Sequence, residues 1–320
     1  MVEAVLADFR AWGVVRTITT LDIRLRDLAL PADEVVQVAP GRHEEIFSSL
    51  LARSDAALVI APETDGILAG LNATVEIAGI QLLGSSVAAV AATGDKAASY
   101  ELFRRAGLPT PLTRAVGFAA AQRAAGEMGY PLVAKPADGV GCEGVCLVAG
   151  PDELGQALAL LRHATRREEI LLQTFVAGTH ASVSLLVSEG RSLPLSLNGQ
   201  EIVAGCPFAY QGGTVPLIHP AAERAFVVAR TAVGLVPGLL GYVGVDLVLT
   251  QEEAFLIEIN PRLTTSYVGL RQVLQLNLAR AIWDACRRGT LPQDVRLAGQ
   301  VTFAKDGRLS SPISPGVEAL

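Results

Sequence analysis

The stretch GYVGVDLVLTQEEAFLIEINPR, residues 241–262, restricts the fold more than any other part of the chain. Two apolar runs flank the polar turn Gln251–Glu253, which is the pattern of an antiparallel hairpin. With the turn centred there, Asp246 falls opposite Glu258 and Gly244 opposite Asn260. Opposed side chains share a face at roughly 5 Å. The period of two brings Asn260 onto the same face as Glu258. Two carboxylates and an amide oxygen thus converge between apolar strands, where like charges raise one another's pKa or require a counter-ion. A hard cation such as Mg²⁺, or Mn²⁺ in its place, takes carboxylate and phosphate oxygens. Asp246, Glu258 and Asn260 are therefore candidate metal ligands. The plain alternative, one surface glutamate and one turn-capping aspartate, requires the shared face to be accidental. Arg262, just past Pro261, offers a guanidinium fork suited to a γ-phosphate or an acyl phosphate.

A second segment, YPLVAKPADGVGCEGVCLVAG, contains a literal G-x-G-x-x-G built from Gly139, Gly141 and Gly144. A dinucleotide fingerprint would continue into a helix, whose N-terminus takes the pyrophosphate. Here the last glycine is followed by VCLV, a strand pattern. A glycine segment between two strands is a hairpin flap, either a plain surface hairpin or one that lowers backbone N–H groups onto phosphates. Lys135 favours the second reading, because it ends a buried run at the root of the flap. Lysine occurs three times in the chain (Lys96, Lys135, Lys305) against 23 arginines, so a lysine where any cation would serve is unexpected. Lys96 on its own is equally compatible with a solvated helix start.

With 320 residues, half of them apolar, the chain can bury a core spread over two or three compact units. A net charge of −6 without any Lys/Arg block argues against nucleic acid or an anionic membrane as partner. No run of apolar residues is long enough to span a bilayer, and the N-terminus does not resemble a signal peptide. Cys142, Cys146, Cys206 and Cys286 show neither C-x-x-C spacing nor a histidine pair, so reduced thiols and a cytoplasmic location are expected. Residues 1–90 alternate helical and strand-like runs, as in a small parallel-sheet βα domain. A boundary near Gly94 opens a second unit, 91–170, which holds the flap. Residues 171–320 read as mainly antiparallel: strands ASVSLLVSEG and RSLPLSLNGQEIV, a loop CPFAYQGGTVP, a helix from Ala221, the hairpin, one helix Leu270–Arg288 and a weakly patterned tail.

Together, GDKAASYELFRRAGLPTP, YPLVAKPADGVGCEGV, EILLQTFVAG and GVDLVL with LIEINPR resemble the ATP-grasp carboxylate–amine ligases over about residues 82–288. The resemblance implies an α/β ATP-grasp fold in which two α+β subdomains grip ATP behind a small N-terminal domain. It implies that Lys96 and Lys135 bind the α- and β-phosphates and that the glycine loop closes over them. Gln173, Thr174, Phe175 and Val176 would form the hinge strand at the adenine, and Asp246, Glu258 and Asn260 would hold Mg²⁺. Lys135 and Arg262 become the catalytic phosphate clamp. The partners implied are small-molecule carboxylate and amine substrates, in a monomer or a homodimer. Many relatives carry a glutamate for the ribose where this chain has His180, which puts ribose binding at that position in question. The chain also opens in a helical pattern where such ligases usually open with a strand. VIAPETDGILAGL, with Glu63, and EINPRLTTSYVGLRQ, together with Asn198 and Gln200, are most similar to the tyramine–glutamate ligase branch of methanofuran-type cofactor synthesis, which has bacterial members in one-carbon metabolism. The expected reaction is amide formation through an acyl phosphate. D-alanine-type dipeptide ligation and glutamylation of another acceptor remain open, as does a non-catalytic nucleotide-binding regulator. The last would be expected to lack a metal ligand, and this chain lacks none.

Overall fold

A computed structural model describes residues 1–139 and 141–313. The chain opens with helix α1 (Val2–Trp12), which ends at Gly13 in the left-handed conformation. There follow β1 (Ile18–Asp22), β2 (Glu34–Val38), α2 (His43–Leu51), β3 (Ala56–Ala57), α3 (Ile67–Ile77) and β4 (Gln81–Leu82). The pairings β1–β2 and β3–β4 are parallel, as expected, but they form two separate two-stranded sheets instead of one. The run from Ala56 stops pairing early because Leu58 and Ile60 turn toward the core of the C-terminal unit. Helix α1 faces the same way: Val5 and Phe9 share a core with Leu278 and Ile282, and Trp12 meets Trp283 edge-on at 5.7 Å.

Two capped helices lead into the flap unit. In α4 (Val87–Gly94), Ser86 Oγ accepts from the N–H of Ala89; before α5 (Lys96–Arg105), the Asp95 carboxylate accepts from Ala97 and Ala98. The cap on α5 fixes Lys96 as its first residue. Then come β5 (Thr113–Gly117), α6 (Ala121–Met128), β6 (Leu132–Pro136), β7 (Cys146–Val148), α7 (Pro151–Ala164) and β8 (Glu169–Thr174). The strands form an antiparallel sheet in the order β5-β8-β6-β7, and α6 and α7 cover it around Leu132, Ala134, Val148, Leu161 and Leu172.

The third unit contains β9 (Thr179–Ser188), β10 (Arg191–Val203), β11 (Ala209–Val215), α8 (Ala222–Gly234), β12 (Gly241–Leu249), β13 (Ala254–Asn260), α9 (Ser266–Val273), α10 (Leu278–Arg288), β14 (Gln300–Ala304) and β15 (Leu309–Ile313). Its seven strands run β13-β12-β9-β10-β11-β14-β15. Helix α8 packs on one face of this sheet; α9 and α10 pack on the other.

Three expectations are corrected here. The stretch CPFAYQGGTVP supplies strand β11 and is not all loop. Its glycines allow close approach of neighbouring backbones, since a Cβ on Gly213 would collide with the carbonyl oxygen of Gly199 and one on Gly212 with that of Phe303. The single helix expected over Leu270–Arg288 is two, broken where Leu274 turns extended and restarted where the Asn277 side chain caps the N–H of Arg280. The tail contributes the hairpin β14–β15.

In the hairpin β12–β13, Asp246 pairs with Glu258 and Gly244 with Asn260, as the sequence predicts, and the turn contains the expected Gln251–Glu253 with one further residue, Thr250. The ladder closes at Leu249 and Ala254, half a residue from the expected centre. A register shift between Asp246 and Leu247 restores the pairing.

The expectation of four reduced thiols is also overturned, because Cys146 and Cys206 form a disulfide. Strand β7 runs beside the segment after β10, with Leu147 N–H donating to Gly205 O at 2.8 Å and Phe208 N–H to Val145 O at 2.7 Å. This strand-like contact between the two sheets brings together sulfurs 60 residues apart in sequence. Cys142 and Cys286 remain free.

Candidate active site

The two sheets close on a cleft lined by Lys96, Lys135, Gly139, Gly141, Gln173, Thr174, Phe175, Val176, His180, Asp246 and Glu258, so most of the predicted site residues meet. Each is placed by a specific element. Strand β6 is buried along its whole length and carries Lys135 inward, with only 6% of the residue exposed. Lys135 Nζ donates to Gln173 Oε1 at 3.0 Å, and Gln173 Nε2 donates to Thr113 Oγ1 at 2.7 Å. The carboxamide of Gln173 is therefore committed to holding the lysine. Burial, and then the neighbouring Lys96, push the Lys135 ammonium down to about 8.

The carboxylate pair is asymmetric. Burial first, and Glu258 second, push Asp246 well above the usual carboxylate range; it accepts from Gln200 Nε2 at 2.9 Å and from Asn260 Nδ2 at 3.0 Å. Burial opposes ionisation of Glu258 as well, but Lys96 and Lys135 outweigh it and hold its pKa low. Lys96 Nζ forms an ion pair with Glu258. Of the pair, Asp246 is thus biased toward the protonated form and Glu258 toward the ionised form, with Lys96 as its counter-ion. Two partly buried carboxylates and one amide suit a hard divalent ion that completes its shell with phosphate oxygens and water. Among the described residues, no group of three or more His, Cys, Asp or Glu could hold a metal ion, so Asp246 and Glu258 would need Asn260 and ligands from outside the protein.

Three predicted residues lie off the cleft lining. Asn260 reaches the site only through its amide hydrogen bond to Asp246. Gly144 sits behind the loop at φ 70, where a Cβ would stand 2.7 Å from Ala164 Cβ and 3.0 Å from Pro136 Cγ. The side chain of Arg262 pairs with Glu63, at 2.9 Å from Nε and from Nη2 to Oε2. His180 lies in the cleft edge-on to Phe208, ring centroids 6.1 Å apart, and burial lowers its pKa, so it stands there as a neutral imidazole.

Several participants escaped the sequence. Phe208 and Ile202, which no motif marks, complete an apolar slot with Val145, Leu247 and Val248 of the quoted segments. Asp138 anchors the flap root: its carboxylate accepts from Thr165 Oγ1 at 3.2 Å and pairs with Arg167 at 3.2 Å, while its carbonyl accepts from Thr64 Oγ1 at 3.3 Å. Its position directly before Gly139 was the only available signal. Cys142 lines the cleft too, and burial, then Asp246 and Glu258, push its thiol up to about 11, so it is no nucleophile at neutral pH.

A slot for a flat apolar base, one buried and one partly buried lysine, a glycine flap and an acidic pair between two sheets define a nucleotide-gripping site of the ATP-grasp kind. A family model for the ATP-grasp domain matches residues 93–266 and one for the pre ATP-grasp 3 domain matches residues 15–90, so the chain belongs to the ATP-grasp family. It is 33% identical over 217 residues to tyramine–L-glutamate ligase of Methanocaldococcus jannaschii, covering 68% of this chain and 58% of that protein. Against the ligase of the same name from Methanocaldococcus fervens, the identity is 36%, covering 68% of this chain and 62% of that protein. The chain thus spans about three fifths of the length of these relatives. Among solved structures, a biotin carboxylase complex from Campylobacter jejuni superposes with a TM-score of 0.78 at 20% identity, over 93% of this chain and 72% of that one. A putative ATP-grasp protein from Archaeoglobus fulgidus superposes with a TM-score of 0.67 at 24% identity, over 94% and 83%. These two show the fold.

Proposed function

We propose that this chain is an ADP-forming carboxylate–amine ligase that activates glutamate as an acyl phosphate and joins it to an amine of the tyramine type. The observation carrying the proposal is the partly buried facing pair Asp246 and Glu258 beside Lys96 and Lys135, in a cleft that shows no activated nucleophile among the described residues. Such a set stabilises phosphoryl transfer by position and charge. The similarity to two tyramine–L-glutamate ligases supports the choice of substrates.

The residues divide the work. Phe208, Val145, Leu247 and Val248 hold the base in a dry slot. Lys135, kept straight by Gln173, sets a compact positive charge against the phosphates. Gly141 lets the flap lower its backbone N–H groups onto them. Asp246, Glu258 and Asn260 would hold Mg²⁺, which supplies charge neutralisation between the phosphates and the acidic pair. The substrate carboxylate oxygen attacks the γ-phosphorus and ADP departs; the amine nitrogen attacks the acyl carbon, and inorganic phosphate departs with the former carboxylate oxygen.

Isotope transfer tests this. With ATP, Mg²⁺, tyramine and ¹⁸O-carboxylate glutamate, one ¹⁸O should appear in the released phosphate and the nucleotide should leave as ADP. Label in AMP, with release of pyrophosphate, would overturn the acyl-phosphate route. Turnover with D-alanine in place of both substrates would overturn the substrate assignment.

A further inference from the structure

The disulfide stands at the mouth of the nucleotide slot and joins parts that belong to different sheets. Cys146 opens β7, two residues after Gly144, the last glycine of the flap. Cys206 lies in residues 204–208, which link β10 to β11 of the large sheet and have no strand structure of their own. The side chain of Cys206 nevertheless packs against the core of the flap sheet. The backbone bonds from Leu147 to Gly205 and from Phe208 to Val145 lie on either side of the sulfur bridge.

The bridge fixes two walls of the slot against each other. Val145, one residue before Cys146, and Phe208, two residues after Cys206, both line the cleft. Phe208 also meets the ring of His180 edge-on. A disulfide inside one sheet would stabilise that sheet, whereas one between two sheets limits how far they part. With the bridge open, two backbone hydrogen bonds remain at this crossing, and water competes for both. The ladder of β10 with β11 gives residues 204–208 little further guidance, because its register slips between Glu201 and Ile202. The sulfurs differ in access: Cys146 is fully buried, and Cys206 is partly exposed. An external thiol therefore reaches the bond from the Cys206 side.

We propose that the Cys146–Cys206 bond is a redox latch on the nucleotide cleft, holding the Val145 and Phe208 walls in place when oxidised and loosening the grip on nucleotide when a dithiol reduces it. The proposal rests on the ATP reading above. A thiolate of the dithiol attacks Cys206 Sγ, and the Cys146 sulfur leaves and takes up a proton. The second thiol of the reductant then attacks the mixed disulfide and frees Cys206, which is protonated in turn. The protein gains two electrons and two protons, and the dithiol becomes a cyclic disulfide. A preformed slot spares the bound state the cost of ordering its walls, so the oxidised form binds more tightly.

Calorimetry with MgADP on one preparation, oxidised, then reduced with dithiothreitol, then reoxidised with oxidised glutathione, tests the latch while changing no residue. Reduction should lower MgADP affinity about fivefold or more, with the far-UV circular dichroism unchanged, and reoxidation should restore it. Cys206→Ser should bind as the reduced wild type does under both conditions. The Cys142→Ser/Cys286→Ala double variant, which keeps only the bonded pair, should retain the wild-type ratio of oxidised to reduced affinity. Equal affinity in the two redox states, a redox response that persists in Cys206→Ser, or loss of the circular dichroism signal on reduction would each overturn the proposal. So would a mass that fails to rise by two hydrogens on reduction. Absence of MgADP binding in both states would overturn the ATP reading, and this proposal with it.

Discussion

Lys135 and Glu258 carry the charge logic of the cleft, and each supports a prediction at the scale of one side chain. Burial depresses the Lys135 ammonium to about 8, so above that pH the free protein holds it largely neutral. A bound phosphate favours the charged form, so at pH 8.5 nucleotide binding should draw a proton onto the protein, whereas at pH 6.5 the lysine is already charged and no uptake should follow. Calorimetry of magnesium-free ADP in buffers of different ionisation enthalpy measures this, and Lys135→Met should abolish the uptake at pH 8.5. Glu258→Gln keeps the shape of the side chain but leaves Lys96 without its counter-ion; Lys96 is only partly buried, so the fold should survive while ADP release falls by about 10² or more. Retention of a tenth of wild-type kcat would contradict the metal role. The facing of Asp246 and Glu258 could be read from the sequence because strand alternation depends only on pairing parity, and the shifted turn and the compensating bulge cancelled each other. Glu63 was less legible: its partner lies 199 residues away, and no local pattern announces a pair of that separation.

At the scale of the element, the flap is a hinge with two fastened ends. Asp138 ties its entry to Thr165 and Arg167; the disulfide and two backbone bonds tie its exit strand β7 to the segment before β11. Gly144→Ala forces a left-handed backbone and a collision with Ala164, so it should weaken MgATP binding at least tenfold. Cys206→Ser should leave the core of each sheet intact, because the bond joins the sheets and lies inside neither. Its expected effects are an open, protease-sensitive flap and a mass that no longer shifts by two hydrogens on reduction. Identical digestion of the variant and the oxidised wild type would argue against a fastening role. Strand patterns at β6, β8, β9 and β10 were readable from burial and branching. Strand β11 was not, since paired glycines signal a loop locally and a close strand contact only once Phe303 and Gly199 are in place.

Over the whole molecule, the first helix belongs to the last third of the chain. Asp8 of α1 is buried; its carboxylate accepts from Tyr267 Oη at 2.7 Å and from Arg271 Nε at 2.9 Å, while its carbonyl accepts from Asn277 Nδ2 at 2.7 Å. Asp8→Ala should leave Arg271 and Tyr267 without their partner and cost about 3 kcal/mol, read as a lower urea midpoint with an unchanged slope. The helical character of α1 was plain from its spacing, but its destination was not, because an amphipathic stripe states that a partner exists without stating which. That clasp also dictates an order of events during synthesis. Arg271 lies 263 residues after Asp8, so at ribosomal speeds α1 emerges on the order of 10–50 s before the groove that receives it has been made. Helix α1 therefore spends that interval without the partners that bury Asp8 in the folded protein.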